Sequence, residues 1–199
     1  MNSRIRVGAL VPVIAIALGI GMASPGIART GGPTEAGRAK VVTETFDVAT
    51  DATTFRIAGG KSLPEALRGD TFIVEGKIYA AETIPPGGSL DAPGAFDPAT
   101  AGGSIGTWVL RGTLNRDFTE IIGGSSPFVY GTQYFVFDDG RLLVSDGAHG
   151  GPPVTRSVVG GGGAFAGASG EVVEQIIGVN ATGLFNQRFT FHIKRQSIK

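Results

Sequence analysis

Cysteine is absent from this 199-residue chain. No disulfide can brace the fold, no thiol can act as nucleophile, and no lipoprotein cysteine can carry a lipid. Histidine is scarce too, with His149 and His192 the only two. Zinc sites of the usual His/Cys kind are therefore not expected. No Lys-Ser or Lys-Thr follows the glycine-rich stretch, which excludes a phosphate loop. Gly167-Ala168-Ser169-Gly170 lacks the spacing of a Gly-x-Ser-x-Gly nucleophile elbow. There is no excess of positive charge and no basic stripe interleaved with aromatics, so nucleic acid is not an expected partner. Beyond the first residues there is neither a long apolar run nor a sustained 3.6-residue apolar period.

What is present begins with a targeting segment. Arg4 and Arg6 precede a nearly pure apolar run from Val7 to Met22, and Gly26 and Ala28 supply small residues for a signal peptidase. A retained anchor needs roughly 20 apolar residues. This run is shorter and is interrupted by Gly8, Pro12, Gly19 and Gly21. Residues 1–28 are accordingly expected to be a cleaved signal peptide, giving a secreted or periplasmic protein without a stable membrane anchor. The remaining residues, about 170, suit one domain that buries roughly 70% of its unfolded surface. Removing Arg4 and Arg6 from 17 basic residues leaves 15 against 17 acidic ones, a net charge of −2.

The composition favours strands. Glycine numbers 33 and proline 11, and the apolar residues lean to Val, Ile and Phe, with Thr beside them. Alternation predicts strands over Thr71–Tyr79, Ile105–Leu114, Val129–Phe137, Arg141–Ser145, Val154–Val159, Gly170–Ile177 and Leu184–Lys194. Further pieces are expected at Val41–Val48 and Thr54–Ile57. Asp138-Asp139-Gly140 is a hairpin turn, and Ser62 with Glu65 has the spacing of a capping box over a single helical turn. Ala80–Ser104, with four prolines, is a long loop of the kind that is functional or disordered. Seven or eight strands with close turns imply a sandwich or a closed barrel. Asn180-Ala181-Thr182 matches a glycosylation acceptor.

Three stretches carry a resemblance. Tyr134-Phe135-Val136-Phe137-Asp138-Asp139-Gly140-Arg141-Leu142-Leu143-Val144 resembles the central hairpin of the allene oxide cyclase barrel. Val159-Gly160-Gly161-Gly162-Gly163-Ala164-Phe165-Ala166-Gly167-Ala168-Ser169-Gly170 resembles the glycine signature shared by allene oxide cyclases and dirigent proteins, and Phe189–Lys194 resembles the family's last strand. Together they cover about residues 70 to 195. The resemblance implies an all-β, eight-stranded antiparallel barrel of calycin type over residues 70–199, preceded by an extension at 29–69. It implies a small hydrophobic substrate or ligand, no cofactor, and a homo-oligomer, either trimer or dimer. Cyclases of this kind close an unsaturated fatty-acid epoxide, and dirigent proteins steer phenolic intermediates. Both shape a reactive molecule in a dry pocket. Locally, the glycine run permits a tight reversal, with Phe165 plugging a barrel mouth.

Two functions follow as expectations: a cofactor-independent cyclase or isomerase, or a dirigent-like or lipocalin-like binder without catalysis. Glu75 falls where the cyclases keep a glutamate, and in an apolar barrel it would act as a base or stabilise positive charge. Lys77, where those enzymes carry asparagine, shares the face of Glu75, as does Tyr79. The alternative is an exposed face with an ordinary ion pair. Ile73, Arg111, Gln133, Tyr134, Phe165 and His192 are expected to line the ligand site. His149, between glycines, reads as an exposed loop residue.

Overall fold

The computed structural model describes residues 41–87, 95–124 and 126–194. The expected signal peptide lies outside them. Eight strands form one closed antiparallel barrel in chain order. They are β1 (Val41–Ile57), β2 (Thr71–Ala80), β3 (Gly106–Leu114), β4 (Val129–Phe137), β5 (Leu142–His149), β6 (Val154–Gly162), β7 (Ser169–Val179) and β8 (Phe185–Lys194). The two pieces expected near the amino terminus are one strand. It pairs with β2 on one side and β8 on the other, from Val41 opposite Lys194 to Ala49 opposite Asn186.

Alternation decides the faces. On β2, Phe72, Val74 and Ile78 point inward, and on β8 Phe189, Phe191 and Ile193 do the same. One end of the barrel is closed. Phe165, on a short turn after β6, is buried there, and the Arg141 guanidinium lies 4.7 Å from the Phe137 ring centroid and 5.3 Å from that of Phe165. Most of the glycine run is strand rather than turn. Only Gly163 takes a positive φ, 57°, and a Cβ there would stand 2.7 Å from the Gly140 carbonyl. Above this plug Phe46, Trp108, Phe135, Phe189 and Phe191 fill the middle of the barrel, with Phe135 edge-on to both Phe189 and Phe191 at 5.0 Å.

The opposite end is covered by short elements. A 3-10 turn, Leu63–Glu65, has the expected capping box from Ser62 and Glu65, and a short helix, α1 (Phe118–Ile122), has a second one from Asp117 and Glu120. Asn180 in the β7–β8 turn is fully buried, and its amide donates to the Thr50 carbonyl at 2.8 Å. It is therefore an internal brace, which corrects the glycosylation reading. The described parts of the long loop, 81–87 and 95–104, lie along the outer wall: Tyr79, Ala49 and Ile84 form a second small core there with Phe96, Ala101 and Ile177. Asp47 anchors it by accepting from the Ile84 N–H at 3.1 Å and from Arg188 Nε at 2.8 Å.

Candidate functional site

Three bulges or register shifts break the strand pairing, and two of them shape the site and its surroundings. The shift in β1 between Asp51 and Arg56 is held by Asp51, whose carboxylate accepts from the Thr53 N–H at 2.9 Å. It carries Phe55 onto the covered end of the barrel, where it stacks on Phe72 with ring centroids 4.9 Å apart. The shift in β7 between Ile176 and Gly178 places Ile177 in the outer core.

Beneath the covering elements lies a cavity of about 90 Å³. Phe55 and Phe72 form one wall, Leu63, Phe118 and Ile121 the roof, and Phe128, Leu184 and Phe185 the far side. Its rim residues are partly exposed and its floor is buried. Thr50 and His149 are the two polar residues among the lining.

The floor is a buried polar network on inward positions of β4 to β8. Glu174 on β7 is 2% exposed, and its Oε1 lies 2.7 Å from Nδ1 of His149 at the end of β5. The other carboxylate oxygen accepts from Gln133 Nε2 at 2.9 Å. Gln133 in turn accepts from the Ser145 hydroxyl at 3.1 Å. Weaker contacts at 3.4 Å bring the Gly150 N–H and Gln187 Nε2 to Glu174. Arg156 on β6 closes the network, donating to Ser145 Oγ at 3.3 Å, to the Gly147 carbonyl at 3.0 Å and to the carbonyls of Ala148 and Gly131.

The charge states follow from these partners. Burial alone would raise the Glu174 carboxyl, but His149, Arg156 and Gln133 together outweigh it and hold its pKa below the usual carboxylate value. Burial pulls the Arg156 guanidinium down, while Glu174 and Asp146 oppose that. An ionised Glu174 only accepts hydrogen bonds, so the His149 proton on this side belongs on Nδ1. The polar contacts of the ring run through Nδ1, and the ring itself lines the cavity. A basic nitrogen oriented by a carboxylate beneath an apolar chamber is equipped for general acid–base chemistry.

The sequence-predicted residues divide sharply. Gln133 belongs to this floor. Glu75, expected inside, is exposed on the outer face, because Phe72, Val74 and Ile78 take the interior of the same strand. Its backbone N–H is held by Thr54 Oγ1 at 2.8 Å. Lys77 shares that outer face. Tyr79 is buried, but against the outer core, where it meets Phe96 edge-on at 5.1 Å. Ile73, Arg111, Tyr134 and His192 also point outward. Phe165 is interior but seals the end away from the cavity. Sequence reasoning missed His149, Glu174 and Arg156. The signal was available for Glu174, which shares the inward face of β7 with Val172, and for Arg156, which shares that of β6 with Val158.

No family model matches the chain, and no curated protein does. Solved structures do. The pterocarpan synthase dirigent protein PsPTS1 is 14% identical, with 79% of this chain and 97% of that one covered at a TM-score of 0.55. For its counterpart GePTS1 the identity is 15%, the coverage 85% and 100%, and the TM-score 0.52. A pyocyanin demethylase aligns at 18% identity over 77% and 98% of the two chains with a TM-score of 0.46, too loose a likeness to argue from. The chain is thus similar in fold to dirigent proteins, a closed eight-stranded barrel.

Proposed function

We propose that this barrel binds a small hydrophobic molecule in the chamber above His149 and isomerises or cyclises it by moving a proton, without a cofactor. The observation that carries the reading is the His149–Glu174 pair, 2.7 Å apart and buried at the floor of a chamber walled by phenylalanines. In the proposed step His149 Nε2 takes a proton from the bound molecule while Nδ1–H stays on Glu174, whose negative charge stabilises the imidazolium. Nε2 then returns the proton to another atom of the same molecule, so substrate and product are isomers. Acid–base help of this kind is worth about 10²–10⁴-fold in rate. The dry walls strengthen the electrostatic interaction between ring and carboxylate. With the expected signal peptide cleaved, the reaction would take place outside the cytoplasm.

A second reading, a binder without catalysis, is favoured by one observation. Glu174, Gln133 and Arg156 are hydrogen-bonded largely within the protein, as in a purely structural floor. Mass spectrometry of small molecules that co-purify with wild type and with His149→Gln separates the two. A precursor retained by the variant, with its isomer in wild type, supports the isomerase. The same molecule in both forms supports the binder.

A further inference from the structure

The outer surface of the barrel differs between its two sides. The wall of β1, β2 and β7 has its apolar residues covered by Ile84, Phe96 and Ala101 of the long loop. The wall of β3 to β6 is left bare among the described residues, with Val136 48% and Val159 57% exposed. Their outward neighbours are apolar too. On one rung Val109 stands beside Tyr134, and Tyr134 beside Val144. On the next, Val136 stands beside Leu142. Gly160 and Gly162 continue these rungs onto β6 and keep that side flat. Single exposed valines are ordinary, whereas a contiguous apolar stripe marks a contact surface.

The adjoining rung carries opposite charges at its two ends. Arg111 on β3 and Asp146 on β5 flank Thr132 on β4. Both are exposed. Arg111 forms no salt bridge among the described residues, and Asp146 accepts from Thr132 Oγ1 at 3.0 Å. This pattern complements itself. A two-fold axis lying between two copies and running along β4 sets β3 of each over β5 of the other. Arg111 then faces the second copy's Asp146, twice over. Val109 faces Val144, while Tyr134 and Val136 meet their own equivalents. Glu75 and Lys77 sit in register with Val109 and Thr107 on the β2 edge, and the same axis places them over Gly160 and Gly162, so no like charges meet. A lipid surface or a partner of one charge sign would suit the valines but not Arg111 and Asp146 together.

We infer that the wall of β3 to β6 joins two copies of this chain into an isologous dimer, independent of what the chamber binds. Two convex barrel walls touch over a narrow strip, at the low end of interface sizes, so monomer and dimer should exchange with concentration. Sedimentation equilibrium of the purified protein from about 1 µM to about 1 mM follows that exchange. Val136→Lys should weaken association about tenfold or more, and so should Arg111→Glu, which sets acid against acid at both ends. Asp146→Lys should do the same by setting base against base. Mixed in equal amounts, the two charge variants should recover a dimer of wild-type strength, since the introduced acid then faces the introduced base and the native Arg111 faces the native Asp146. A wild type that stays monomeric, a trimer, or a dimer indifferent to Val136→Lys and Arg111→Glu overturns the inference. A mixture of folded variants that does not recover overturns the two-fold arrangement. Asp146 lies near the buried Arg156, and if Asp146→Lys does not fold, the other two variants still decide the matter.

Discussion

Glu174 has its carboxylate buried and still held ionised, and that combination has a pH signature. Its folded-state pKa lies below the unfolded value of about 4.3. The stability it contributes is therefore complete above that unfolded value and is lost as pH falls through the lower, folded one. Urea unfolding of wild type and Glu174→Gln from pH 7 to pH 3 should show wild type more stable at neutral pH, with the gap closing below about pH 4. Tyr79 poses the opposite case. Its hydroxyl is buried with no hydrogen-bond partner among the described residues, and burial followed by the nearby Asp97 raises its pKa. Removing an unsatisfied group relieves its desolvation cost, so Tyr79→Phe should leave the melting temperature unchanged or raise stability by about 1 kcal/mol. Glu75→Gln on the outer face should shift stability by no more than about 0.5 kcal/mol.

At the scale of elements, the wall and the long loop depend on one close approach. Gly178 on β7 faces Gly87, whose N–H donates to the Ile177 carbonyl at 2.6 Å, and a Cβ on Gly178 would stand 1.8 Å from the Gly87 carbonyl oxygen. Gly178→Ala should push the loop off the wall and open the small core around Ile84, seen as faster proteolysis within residues 81–101 at unchanged barrel content by circular dichroism. The strands themselves were legible because alternation is a local signal, and β2, β4 and β8 start and end within a residue of their sequence boundaries. The site was not legible in the same way. Whether a residue points into a barrel depends on which face the apolar majority occupies, and on β2 that majority turned Glu75 outward. His149 was hidden by its neighbours, since Gly147, Gly150 and Gly151 punctuate the sequence like a loop while the strand runs on to His149. The sequence names Gln133 together with its neighbour Tyr134 on a strand that could line the barrel, and only Gln133, which alternates with Phe135 and Phe137, shares the inner face.

For the whole molecule, closure rests on the pair most distant in sequence, β1 with β8. A chain started at residue 70 would lack the strand that joins β8 to β2 and would present two open edges. It should be insoluble, whereas a chain started before Val41 should give one cooperative unfolding transition by calorimetry. Refolding should be slow, in the millisecond-to-second range, because every turn of the barrel must form before the last pairing is gained. The stopper of Phe165 and Arg141 has a consequence of its own. With one end shut by Phe137, Phe165 and Arg141, the proposed isomerisation would send product out, among the described residues, through the same end that substrate enters. Under that proposal such a cul-de-sac would make product a competitor for the vacant chamber, and turnover would slow as product accumulates even while substrate remains plentiful.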